Sequence, residues 1–224
     1  MKTLCTLSLL LSLEAYGQVL DVSSLKTLFT QRRATLENVQ AGMARRVLTK
    51  SYSIVEGQKC NYTVTSEETL LKIDGPKAYV FARESFAPEA SPACRAGQLA
   101  AYEDKIVYLV EKPSLAGVLA DLDASAADVT AIRRDGDLVK LNLTISDVLE
   151  DGETLTDNLT VTYDLSKTAF SNLVLTEATD YSISSSDLPA VDLKTIDLRK
   201  VFFCPNNDGD TSDCTEGDYS DILY

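Results

Sequence analysis

Apolar positions recur near the start of the chain at intervals of three and four residues: Leu25, Leu28, Phe29, Leu36, Val39, Met43 and Val47. At the roughly 100° per residue of an α-helix these side chains share one arc, wide enough to cover a core on one side. The spacing predicts one long amphipathic helix starting at Ser23 and ending between Ala44 and Thr49. Asp21, Ser23 or Ser24 can cap its start by accepting from free backbone N–H groups.

The period then changes to two. Leu48, Tyr52 and Ile54 alternate with smaller or polar neighbours, Glu56 and Gly57 supply a turn, and Cys60, Tyr62 and Val64 continue the alternation, which predicts a hairpin. Further strands are predicted over 69–74, 77–86, 99–102, 105–111, 129–134, 137–146, 158–164 and 170–177, in adjacent antiparallel pairs, with a turn at Glu103 and Asp104 joining two of them. A short helix over 113–122 has Pro in its first turn, and 87–98 reads as a loop holding Cys94. Val139, Leu141, Leu143 and Ile145 alternate with Lys140, Asn142, Thr144 and Ser146, and Leu159, Val161 and Tyr163 with Asn158, Thr160 and Thr162. One face is dry and the other wet, as in an antiparallel sheet covered on one side.

These elements predict an α+β fold: a long N-terminal amphipathic helix packed on a curved, mostly antiparallel, half-barrel-like β-sheet. From Ser23 to about Ile183 the order of elements resembles the periplasmic lipoprotein-carrier fold, an open half-barrel that holds acyl chains under helical lids. The resemblance is one of layout, and it implies a space for an acyl chain beneath the helix; it assigns no residues.

Met1 and Lys2, the apolar run from Leu4 to Leu13, and Ala15 and Gly17 before Gln18 form the pattern of a secretory leader. The expected organisation is a signal peptide over 1–17 that takes Cys5 with it, a single domain over 18–203, and an acidic, disulfide-closed tail over 204–224. No other apolar run approaches the length of a membrane span. The expected location is secreted or periplasmic.

Four cysteines remain, Cys60, Cys94, Cys204 and Cys214, an even number in a compartment that permits oxidation. Of three connectivities, Cys60 with Cys94 and Cys204 with Cys214 is the most local, with chain-entropy contributions of roughly 3.7 and 2.7 kcal/mol. The separations are wrong for a structural zinc site. The chain has no His, which removes Ser-His-Asp and Cys-His catalysis and His-ligated zinc, and no Trp. No cofactor and no metal are expected, and the reading is non-enzymatic. Ser23 and Lys26 match an S-x-x-K spacing, but no companion motif accompanies them.

The formal charge is −13, from 34 acidic and 21 basic residues, which disfavours nucleic acid as a partner. The predicted helix is the cationic element: residues 18–50 carry Lys26, Arg32, Arg33, Arg45, Arg46 and Lys50 against Asp21 and Glu37. Arg32 falls within its apolar arc, where a guanidinium must snorkel, pair with a carboxylate or face a ligand. Asp208, Asp210, Asp213, Glu216, Asp218 and Asp221 read as a solvated acidic run rather than a Ca²⁺ loop. Asn61, Asn142 and Asn158 head N-x-[ST] triplets, glycan acceptors only in a eukaryotic secretory pathway.

The leading expectation is an exported carrier or sensor of an apolar ligand, an acyl chain, lipid or lipoprotein, held between helix and sheet. Arg32, Phe29, Tyr52, Tyr62, Tyr79, Phe81, Tyr108 and Tyr163 are the candidate lining residues. The alternative is an exported protein-interaction or structural module that uses its acidic surface or tail.

Overall fold

The computed structural model describes residues 18–148, 154–205 and 213–223. The expected signal peptide and the acids Asp208 and Asp210 lie outside the described residues. The strands are β1 Gln18–Leu20, β2 Ala44–Val55, β3 Gln58–Asp74, β4 Lys77–Pro88, β5 Tyr102–Glu111, β6 Val129–Asp135, β7 Leu138–Val148, β8 Thr154–Asp164, β9 Leu173–Glu177, β10 Ser182–Leu188, β11 Arg199–Cys204 and β12 Thr215–Asp218. The helices are short: α1 Val22–Gln31, α2 Arg33–Leu36, α3 Pro92–Ala96 and α4 Leu115–Ala124. All the strands join one 12-stranded sheet in the order β1-β6-β7-β8-β9-β10-β2-β3-β4-β5-β11-β12. Its neighbours are antiparallel except β11 and β5, which run parallel, so the sheet is mixed.

This corrects the expected fold class, because the described residues form no long N-terminal helix and the chain is mostly strand. Asp21 caps α1 by accepting from the Ser24 N–H, and the helical path breaks at Arg32 and ends at Glu37. Gly42 then adopts φ +87°, a left-handed conformation that glycine tolerates, and its N–H donates to the Leu70 carbonyl at 2.8 Å. From Ala44 the chain is strand. The error has a simple source: Val39, Met43 and Val47 are four apart, an interval that fits a period of two as well as 3.6. Arg45, Val47 and Thr49 lie along β2, so the β-branched residues near the hairpin, rather than the apolar spacing, decide the outcome.

Two further strand expectations change. The region 69–74 is the end of the 17-residue β3, and 102–111 is one unbroken strand, with Glu103 and Asp104 paired to Ser85 and Glu84 instead of turning. The turns at Glu56–Gly57, Gly75–Pro76 and Gly136 fall where glycine supplies positive φ.

The sheet is curled. Leu115, Val118 and Leu122 of α4 share a core with Leu25 and Phe29 of α1, Leu36, Ile132, Leu141 and Tyr163. Through Val118 the same helix also borders Val80 of β4 and Tyr108 of β5. A flat sheet would hold β8 and β4, five strand spacings apart, about 24 Å from each other. One helix about 10 Å across touches both sides, so the sheet wraps around it. We call the helix-bearing surface the inner face.

The expectation of a sheet covered on one side is also corrected for β3 to β5. Their inner face buries Leu70, Ala78, Val80, Ala82 and Tyr108 with Phe170. Their outer face buries Leu71, Phe81 and Val107 beneath Leu198 and Val201. The covering segment leaves β10, crosses the outer face and enters β11 beside β5. Tyr219, Ile222 and Leu223 pack on that outer cluster, so the end of the described chain docks on the sheet. One disulfide, Cys60–Cys94, ties α3 to β3, and the other, Cys204–Cys214, closes the β11–β12 hairpin. No described helix is long and apolar enough to cross a membrane.

Candidate functional site

A cleft of about 430 Å³ opens on the inner face between α4, the β4–β5 pair and the segment at Ala169 and Phe170. Val80, Tyr108, Val110, Pro113, Val118, Ala169 and Phe170 give it an apolar wall, while Arg45, Lys112, Ser114 and Asp121 supply polar groups. The strand alternation of β4 and β5 aims Val80 and its register partner Tyr108 at the cleft, with Ala78 and Val110 one rung further along. Ser114 caps α4, accepting from the Gly117 N–H at 3.2 Å, which fixes the helix start beside the cleft. Gly117 leaves the wall open: a Cβ there would meet only the Ser114 hydroxyl, at 3.7 Å.

One polar cluster fixes the floor. The Arg45 Nε donates to Glu68 Oε2 at 2.7 Å, and another guanidinium nitrogen donates to the Phe170 carbonyl oxygen. The guanidinium also stands 4.6 Å from the Phe170 ring centre, a cation–π arrangement. Arg45 therefore clasps the cleft-forming Phe170 segment to the sheet. Glu68 is only 8% exposed, so this carboxylate needs the pairing it has. Burial, with Glu68 alongside, pushes the Tyr108 hydroxyl well above its ordinary value, so it stays a neutral donor. At the rim, burial also raises the Asp121 carboxyl.

Of the candidate lining residues, the structure brings Tyr108 to this cleft. Phe29 and Tyr163 meet edge to face, centroids 5.4 Å apart, inside the filled core beneath α1 and α4. Tyr79 and Phe81 point to the opposite surface, packed with Leu198, Val201 and Phe203. Their odd positions on β4 alternate with inward Val80 and Ala82, a parity that the apolar run 78–82 hides because both faces are dry. Tyr52 lies near the tip of the β2–β3 hairpin, where its hydroxyl bonds the Asp180 carboxylate and Lys59 stands 3.7 Å over its ring. Tyr62 stacks against Phe86 on the inner face, away from α4. Arg32 is not among the residues of this cleft: it ends α1 and pairs with Asp137 in the β6–β7 turn at 2.7 Å.

Arg45, Glu68, Phe170 and Val118 are the residues that sequence reasoning missed as a group. Part of the signal was present. Extending the Glu56–Gly57 hairpin rung by rung sets Arg45 opposite Glu68 and Arg46 opposite Glu67, a double charge match that the predicted helix concealed. The approach of Phe170 depends on the curl of the whole sheet and leaves no local trace. A wider groove of about 990 Å³ runs along Val191–Asp197 on the outer surface, where Arg199 donates to both carboxylate oxygens of Asp197 at 2.8 and 2.9 Å, but this pair is exposed, unlike the one between Arg45 and Glu68. Compared with models of protein families, with curated proteins and with solved structures, the chain matches none.

Proposed function

We propose that this chain is an exported carrier or sensor of an apolar ligand, an acyl chain seated in the cleft between α4 and the β4–β5 pair. The supporting observation is the cleft itself. Its volume of about 430 Å³ and its apolar wall with a few converging polar groups fit a small-molecule site, for which about 300–1,000 Å³ is usual. Tyr108, Val80, Val110 and Phe170 hold the chain of the ligand, and Lys112 and Ser114 meet its polar end at the rim. The secretory pattern at the start of the sequence and the two disulfides favour action outside the cytoplasm.

The test is native mass spectrometry of gently purified protein combined with titration of a fluorescent polyunsaturated fatty acid. Saturable binding of one fatty acid per chain is expected, and Gly117→Leu, which places a side chain in the cleft, is expected to weaken it at least tenfold while leaving the fold intact by circular dichroism. Absence of any bound lipid together with no fatty-acid response overturns the reading, as does undiminished binding by the folded Gly117→Leu variant.

A further inference from the structure

The inner face of β3 to β5 continues past the cleft as far as Cys60, where the disulfide to Cys94 brings in α3. Short of Cys60, Tyr62, Phe86 and Tyr102 form an aromatic row across three strands, in which Phe86 and Tyr102 stack and Tyr62 is tilted by 40° to Phe86. The Tyr62 and Phe86 centroids are 5.2 Å apart, and Phe86 and Tyr102 lie nearly parallel at 5.3 Å with an interplanar angle of 8°. Tyr102 is 46% exposed. One rung along on the same face, Glu84 and Asp104 are direct cross-strand partners. Like charges at facing positions repel. Among the described residues neither carboxylate is in a salt bridge with Lys or Arg, and Glu84 accepts only from the Tyr102 hydroxyl, at 3.2 Å. The basic residues of these rungs, Arg83 and Lys105, alternate to the opposite face.

The same face shows what completes such an arrangement. Further along it, Arg45 lies between a carboxylate, Glu68, and an aromatic ring, Phe170. Glu84, Asp104 and the Phe86–Tyr102 stack present that combination of carboxylate and ring with no paired cation among the described residues. The overall charge of −13 draws polycations toward the molecule from a distance.

We propose that this face docks a basic segment of a partner polypeptide, whose lysine or arginine side chain sits against the Phe86 and Tyr102 rings and pairs with Glu84 and Asp104. The occupant is independent of the ligand in the α4 cleft. The test is calorimetric titration of the full chain with a short peptide carrying two arginines at alternate positions, with its citrulline counterpart and with tetramethylammonium. Saturable binding of the arginine peptide, at least tenfold weaker binding of the citrulline peptide, and at least tenfold loss in the E84Q/D104N double variant are expected. Tyr102→Leu should lose several-fold, and Glu103→Gln, on the other face, should bind as the parent does. Removing two facing like charges should leave the melting temperature of E84Q/D104N unchanged or raised, which separates lost recognition from lost folding. Equal binding by the parent and E84Q/D104N, no binding of the arginine peptide, or equally tight binding of tetramethylammonium overturns the proposal, the last by showing a small ammonium ligand instead.

Discussion

Tyr163 shows how one side chain couples core packing to pH. It is 9% exposed and packs edge to face on Phe29, and burial, with the nearby Asp121 charge adding, pushes its hydroxyl up to about 12. Unfolded, the same phenol titrates near 10. The folded chain therefore holds this proton more tightly than the unfolded one. Its stabilisation is fully present below pH 10 and is lost as the pH rises from 10 through 12. Urea unfolding followed at a series of alkaline pH values should show stability falling across that window. Tyr163→Phe should flatten part of the fall, with Tyr108 and Tyr102, both raised in the same direction, contributing to the remainder. A slope identical in the variant would mean that Tyr163 titrates as it does in water. The alternation around Tyr163 on β8 was legible from Leu159, Val161 and Tyr163 against their Thr and Asn neighbours, because only one face of β6 to β8 is dry. On β4, where Tyr79 and Phe81 face outward and Val80 and Ala82 inward, alternation carries no such information.

At the scale of elements, the clasp between β2 and the segment after β8 joins residues 125 positions apart in the chain. Arg45 reaches from β2 to Glu68 on β3 and to the Phe170 carbonyl. Removing one partner of a buried pair leaves the other charge uncompensated, at a cost of about 3–5 kcal/mol when burial is complete. The Arg45 side chain is 26% exposed, so Arg45→Ala is expected to destabilise by about 2 kcal/mol, read as a shift in the urea midpoint. Exchange of the amides around Phe170 should accelerate in that variant more than exchange in β7. The hairpins, the short helix near Pro113 and the glycine turns were readable because each is set by local residues. The length of the first helix was not, since the turn that leads from Glu37 into β2 is held at Gly42 by Leu70 and Val191, residues far along the chain: the Gly42 N–H donates to the Leu70 carbonyl and its own carbonyl accepts from the Val191 N–H. The cleft was expected between helix and sheet, yet its walls come from α4 and Phe170 rather than from the first helix.

For the whole molecule, connectivity outweighs composition. β1 joins β6, β10 joins β2, and β11 returns to β5, so the sheet is completed by strands distant in sequence. More than half of the chain lies between Lys50 and its partner Ser182. Such non-local pairing makes folding slow, because the entropy of closing long loops is lost before the contacts form. Refolding from urea with both disulfides intact is expected on a timescale of milliseconds to seconds or slower, measured by stopped-flow circular dichroism; microsecond refolding would contradict this topology. Until β10 has been made, β2 offers a bare row of amides and carbonyls to any neighbouring chain. A ribosome or export channel releasing this polypeptide from its amino end would thus expose an adhesive edge for most of the time of synthesis, and the cell must shield that edge until the last fifth of the chain arrives to cover it.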